Sequence, residues 1–116
     1  MLNKRIKYNA NEVMRTRFLQ LPWFLLEEEE FKDLSNDARI LYALLKNRNE
    51  LSIANGWCDE NDNVYQIFTC AEMGEILNLS DKDITKAMRD LKRFKLIEEK
   101  IMGEGMPNRI YLTEDK

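Results

Sequence analysis

A chain of 116 residues, 44% hydrophobic and 34% charged, is one domain's worth of material able to bury its own core, and its balance excludes both a disordered segment and a membrane protein. Its 18 Lys and Arg against 21 Asp and Glu leave a net charge of −3, with two cysteines and no histidine. Two thiols do not complete a four-ligand zinc site, the commonest general base is missing, and no glycine-rich phosphate loop or catalytic carboxylate spacing is present. The chain therefore reads as a non-enzyme with no cofactor and no bound metal.

The N-terminal residues MLNKRIKYNANE lack the apolar stretch of a signal peptide. No apolar run reaches the roughly 18 residues of a spanning helix. A cytoplasmic location without membrane contact is expected, with Cys58 and Cys70 reduced. The charge is unevenly placed. Lys4, Arg5, Lys7, Arg15 and Arg17 against Glu12 leave residues 1–17 at +4, and they read as a polar basic arm ahead of a domain over 18–116. Glu27 to Glu30 and Asp33 against Lys32 leave residues 27–33 at −4. The acidity is local, so it does not prevent another part of the surface from binding an anion.

After the arm comes the apolar run FLQLPWFLL. Leu21 precedes a proline and is biased to extended backbone, and Pro22 suits the first turn of a short helix through Trp23 to Glu30. In LSNDARILYALLKNRNEL, Ser35 is a good N-cap and Ala38, Leu41, Leu44 and Leu45 recur at helical spacing. This predicts a long helix ending near Asn49, with Gly56 marking the turn beyond it. CDENDNVYQIFT predicts a polar turn and a strand over Val64–Phe68. Thr69 and Glu72 form a capping box, so a short helix starts at Cys70, with Ala71, Ile76 and Leu77 as its apolar residues. Asn78 and Leu79 make a turn. Ser80, with Asp83 three residues on, starts the next helix at Asp81. LIEEKIM, GEGMPN and RIYL then read as strand, loop and strand, a β-hairpin. Two capped helices across a tight turn, followed by a hairpin, outline an α+β winged helix-turn-helix with a β-hairpin wing.

The helix after Ser80 carries the main functional signal. With Ile84 at 0° and about 100° per residue, Ala87, Met88 and Leu91 fall at about 300°, 40° and 340°, one apolar sector. Lys82, Lys86, Arg89 and Arg93 fall at about 160°, 200°, 140° and 180° on the opposite side. A helix face evolved only for solubility mixes signs and uses i,i+4 pairs. A single-sign row on the second helix of a helix-turn-helix points to double-stranded DNA. Lys82, Thr85, Lys86 and Arg89 are then nearest the base edges, while Arg93 reaches only backbone. On the wing, Lys100 and Arg109 are candidate phosphate contacts and Asn108 lies at the tip.

The blocks LPWFLLEEEEFKDLSNDARILYALLKNR, LSIANGWCDENDNVYQIFT and MPNRIYL resemble the N-terminal domain of RepA_N-type plasmid replication initiators of Gram-positive bacteria, from about Phe18 to Leu112. The chain departs from the pattern at DENDN, where the family has a glycine in DENG, and at Met106, where a basic residue precedes Pro-Asn-Arg. The resemblance implies binding to repeated origin sites (iterons) to initiate plasmid replication. It also implies homodimers able to bridge DNA, and host replication proteins recruited through a separate C-terminal domain expected to be absent from this chain. The segment Phe18, Leu19, Leu21, Trp23 and Phe24 either makes the dimer contact or closes the monomer's own core. Two alternatives use the same fold: a winged-helix transcription regulator acting at promoters, and a winged-helix protein-interaction module using the acidic run and the apolar segment before it.

Overall fold

The computed structural model describes residues 7–11 and 17–114. Residues 1–6 and 12–16 of the basic arm lie outside them. The elements in order are α1 (Phe24–Glu27), a 3-10 turn (Glu29–Phe31), α2 (Asn36–Ala54), α3 (Cys70–Leu77), α4 (Asp81–Arg93), β1 (Ile97–Lys100) and β2 (Arg109–Leu112).

The helix expected from Trp23 through Glu30 is broken at Glu28, which is extended with ψ 135°. Packing explains the break. Leu25 and Phe31 are both buried, yet six residues of continuous helix would turn them about 240° apart. The extended residue swings Phe31 back onto the core, where its ring meets Phe24 edge-on at 5.5 Å. Arg39 secures the arrangement, its guanidinium donating to the carbonyls of Leu25 and Phe31 at 2.9 Å each.

Ser35 caps α2 as expected, its hydroxyl accepting from the Ala38 N–H at 3.1 Å. Ala38, Leu41, Tyr42, Leu44 and Leu45 form the buried face. The helix passes Asn49 and runs to Ala54. The polar residues Asn47 to Glu50 interrupt the apolar pattern but do nothing to break a helix. The stop comes at Gly56, the first residue that takes a left-handed conformation cheaply, at φ 73°. Gly56 N–H then bonds Ile53 O, and Trp57 N–H bonds Ser52 O, closing a Schellman motif.

The strand expected over Val64–Phe68 is reduced to single bridges, Cys58 with Val64 and Gln66 with Ile110. Gln66 and Ile110 exchange both backbone bonds, at 2.8 and 2.9 Å. The segment then leaves the hairpin edge because Thr69 begins α3. Gln66 is 1% exposed, and its amide donates to Leu45 O and Asn49 Oδ1, fastening this segment to α2.

The capping box of α3 is complete: Thr69 Oγ1 accepts from Glu72 N–H, and Glu72 Oε1 accepts from Thr69 N–H, both at 3.1 Å. Its packing face differs from the expected one. Met73 and Gly74 are buried and Leu77 half-buried, whereas Ala71 and Ile76 are exposed. In eight residues the apolar pattern admits more than one face, and contact with α4 selects the Met73–Gly74–Leu77 side. Asn78, left-handed at φ 58°, ends the helix.

In α4 the structure agrees with the helical projection. Ser80 Oγ accepts from Asp83 N–H at 3.1 Å, and Ile84, Ala87, Met88 and Leu91 are buried. α4 packs against both α2 and α3. A second Schellman motif ends it, with Lys95 at φ 60° and Leu96 N–H bonding Leu91 O. The antiparallel hairpin pairs Ile97 with Leu112, Glu98 with Tyr111, Glu99 with Ile110 and Lys100 with Arg109. Ile97 and Ile110 reach the core, and Tyr42 Oη donates to Thr113 O at 2.9 Å, tying the end of β2 to α2. Helices α2, α3 and α4 with the hairpin wing, closed at one side by α1, share one core and make a winged helix-turn-helix.

Candidate nucleic-acid interface

Burial of Ile84 and Leu91 fixes the roll of α4, so the opposite face is forced outward. Lys82, Thr85, Lys86, Arg89 and Arg93 are all exposed. Among the described residues, Lys82, Lys86 and Arg89 take part in none of the ion pairs, whereas Arg93 does, at 3.1 Å from Asp90 Oδ1. Arg93 also lies over the Phe94 ring, 4.9 Å from its centroid. The far end of the row is thus partly neutralised and held to the helix end, while its first three cations point to solvent. Asp90 has a second duty, its Oδ2 facing the Ser35 N–H at 3.4 Å.

Beside the row lies a groove of about 260 Å³, lined by Cys70 at the start of α3, Thr85, Met88, Arg89 and Lys92 of α4, and Glu99 of β1. It brings the first turn of α3, the middle of α4 and the wing to one side of the molecule. Glu99 is the joint. Its carboxylate meets Lys92 Nζ at 2.5 Å and Asn108 Nδ2 at 3.4 Å, linking α4, β1 and the far side of the wing loop. No local sequence signal marks Glu99 as a site residue, because its direction depends on hairpin register.

The same register separates the wing residues. Side chains alternate along a strand, so Ile97, Glu99, Ile110 and Leu112 share the face toward the helices, and Glu98, Lys100, Arg109 and Tyr111 share the other. Lys100 is exposed there and Asn108 is exposed near the loop. Arg109 is half-buried, with its guanidinium over the Tyr65 ring, 4.1 Å from the centroid. Tyr65 stacks on Trp57 at 6.4 Å and meets Tyr111 at 6.0 Å. Tyr111 Oη donates to Asp59 Oδ2 at 3.0 Å. Asp59 also accepts the Asn61 and Asn63 N–H groups at 2.9 and 3.0 Å, and its pKa is lowered, first by the Asn63 bond and also by those of Asn61 and Tyr111. The DENDN turn is thereby clipped to the outer face of the wing. Asp62, where the resemblance leads to the expectation of a glycine, holds a left-handed φ of 63°. Aspartate is among the few residues that take that conformation at modest cost.

The apolar N-terminal segment divides in two. Phe24 packs on Phe31 and, edge-on at 6.1 Å, on Tyr42, so it belongs to the monomer's core and is removed from the candidate dimer contact. Phe18, Leu19, Leu21 and Trp23 stay exposed. Among the described residues no helix is long and apolar enough to cross a membrane.

Residues 17–116 match the sequence model of a family described as replication initiator protein A (RepA) N-terminus. The chain belongs to this family. A 41 kDa protein of Lactobacillus helveticus is 31% identical over 114 residues, covering 93% of this chain and 32% of that protein. The chain thus spans about a third of the length of the curated relative it matches. Similar solved structures include the following three. One, described as the N-terminal domain of a DNA binding protein, has a TM-score of 0.80 at 34% identity, covering 96% of this chain and 85% of that one. A Rep–DNA complex has a TM-score of 0.77 at 38% identity, over 84% and 75% of the two chains. An MDR initiator has 0.74 at 41% identity, over 86% and 78%. The winged helix-turn-helix and the replication-initiator resemblance expected from the sequence are both borne out.

Proposed function

We propose that this chain is the DNA-binding domain of a plasmid replication initiator, which recognises repeated double-stranded sites in the plasmid origin and acts by binding, without catalysis or cofactor, in the cytoplasm. The observation that carries the reading is the row Lys82, Lys86 and Arg89, exposed and outside the ion pairs on the α4 face opposite buried Ile84. A helix of this kind enters the major groove with its N-terminal half. Lys82, Thr85, Lys86 and Arg89 then face base edges and phosphates. Arg93, tied to Asp90, meets backbone at the groove's edge. Lys100 and Asn108 bring the wing to a neighbouring stretch of backbone. Family membership and the similarity to a Rep–DNA complex support the same reading.

The testing experiment is a titration of the chain against a duplex selected from a random-site library, repeated across salt concentrations. Contact with about six phosphates predicts a log–log salt slope near −5. Absence of binding at low salt, or a slope near zero, overturns the reading.

Self-association is the second part of the proposal. Phe18, at 76% exposure, and Trp23, at 72%, give an apolar surface suited to a second copy, and host replication proteins would be met by the remainder of a longer initiator. Sedimentation of Phe18→Ser and Trp23→Ser variants tests the first point: a dimer that persists in both removes this segment as the contact.

A further inference from the structure

Arg109 enters the sequence reading as a cation of the wing, but its surroundings suit a different task. It sits on the hairpin face opposite Ile97, Glu99 and Ile110, turned away from α4. There its guanidinium covers the Tyr65 ring at 4.1 Å. Tyr65 precedes Gln66, the one residue of its segment that pairs with β2, through Ile110. Ile110 in turn follows Arg109. The stack therefore lies directly beside the single backbone bridge that joins the 57–68 segment to the wing. Trp57, its ring nearly parallel to that of Tyr65 at 6.4 Å, and Asp59, bonded to Tyr111, complete a clamp along the same face. On the helix side, Glu99 holds Lys92 and Asn108. The wing is thus gripped from both faces, and only the outer grip uses Arg109.

We propose that Arg109 is a positioning residue, which sets the wing's angle to α4 through its stack on Tyr65 and does not serve as a phosphate ligand. The inference rests on the DNA-binding reading for its consequence, though the strut itself belongs to the free protein. A planar guanidinium covers an aromatic face in a way that an ammonium does not reproduce. A phosphate contact, by contrast, is kept by lysine. The two roles therefore separate on the conservative substitution.

The experiment compares wild type, Arg109→Lys, Arg109→Gln, Tyr65→Leu and the Tyr65→Leu/Arg109→Lys pair, each checked for folding by circular dichroism. Amide hydrogen exchange of Gln66 and Ile110 is read in the free protein. Binding is read on the duplex selected by the wild type, well below each variant's melting temperature. The strut predicts that all variants speed exchange at Gln66 and Ile110. Arg109→Lys loses about five- to tenfold in affinity, Tyr65→Leu loses a similar factor, and the pair is no worse than Tyr65→Leu alone. The proposal is overturned in either of two cases. In the first, Arg109→Lys binds as wild type while Arg109→Gln lowers the salt slope by about 0.9. In the second, the variants melt earlier but bind unchanged. If wild type itself does not bind at low salt, the functional reading falls, and the exchange measurement still decides the strut: unchanged protection at Gln66 and Ile110 rejects it.

Discussion

Gly74 in α3 faces the carbonyl oxygen of Leu79 so closely that a Cβ at Gly74 would lie 2.5 Å from it. The contact sets how tightly the chain folds back between α3 and α4. The Leu79 N–H also bonds Gly74 O at 3.0 Å, so the turn cannot swing away without losing that bond.

Gly74→Ala tests this contact. Alanine in a helix interior is worth about 0.8–1.0 kcal/mol over glycine, while overpacking against rigid backbone costs about 1–3 kcal/mol. The clash is with backbone, so the loss should win, by about 1 kcal/mol and at most about 2 kcal/mol net in urea unfolding. An unchanged or raised midpoint would mean that the turn relaxes freely.

Replacing Lys86 and Arg89 together by alanine should leave the fold intact, because both side chains are exposed. DNA affinity should fall at least tenfold. Calorimetric or anisotropy titrations over salt then tell what the residues touch. A salt slope reduced by about 1.8 means that both meet phosphate. An affinity loss confined to the selected duplex, with non-specific binding kept, means that they read bases. Wild-type affinity in the folded double variant would remove α4 as the interface.

Among the described residues three non-glycines sit in left-handed backbone, Asp62 at φ 63°, Asn78 at φ 58° and Lys95 at φ 60°. Lys95 occupies the position after a helix end that glycine usually fills. Lys95→Gly should raise stability by about 0.5–1 kcal/mol, since relief of the Cβ strain exceeds the extra entropy of the unfolded chain. Asp62→Gly should gain less, because aspartate tolerates this conformation better. Thermal melts that place both variants below wild type would show that their side chains contribute more than their backbone costs.

Acid sensitivity should arise from two carboxylates at loop and helix starts. Glu72 lies below its ordinary value of 4.5, held there first by the Thr69 N–H and then by the Thr69 hydroxyl. Asp59 lies below 3.8, held first by the Asn63 N–H. Both values are depressed in the folded state, so their contribution is complete above about pH 5 and is lost as pH falls through the folded values, below about pH 4. With no histidine in the chain, stability should be nearly level from about pH 5.5 to 7. Asp59→Asn should weaken the acid dependence, read as unfolding midpoint against pH. A midpoint that changes steeply near pH 6 would contradict this account.

The signals legible in the sequence are those that act within one or two helical turns. Ser35, Thr69 and Ser80 cap the helices they precede because a hydroxyl and an N–H three residues on are neighbours whatever else the chain does. The cation row on α4 is legible for the same reason: a strongly amphipathic helix has one way to face a core, so burying Ile84, Met88 and Leu91 turns Lys82, Lys86 and Arg89 outward. The wing, with Gly103, Gly105 and Pro107 in the loop between its two short strands, is equally local.

Tertiary structure decided the features that depend on a partner distant in sequence. α1 stops at Glu27 because Leu25 and Phe31 must reach the same core. Phe24 turns inward because Phe31 and Tyr42 surround it. The face of α3 is chosen by α4, since eight residues carry too little pattern to choose it alone. Tyr65 contributes to a clamp instead of a strand, and Arg109 lies on an aromatic ring instead of pointing to solvent, because hairpin register, a property of two strands together, sets which face each side chain takes. Propensity and spacing act over the few residues where chain connectivity fixes geometry. Beyond that range, only the packed fold places one residue against another.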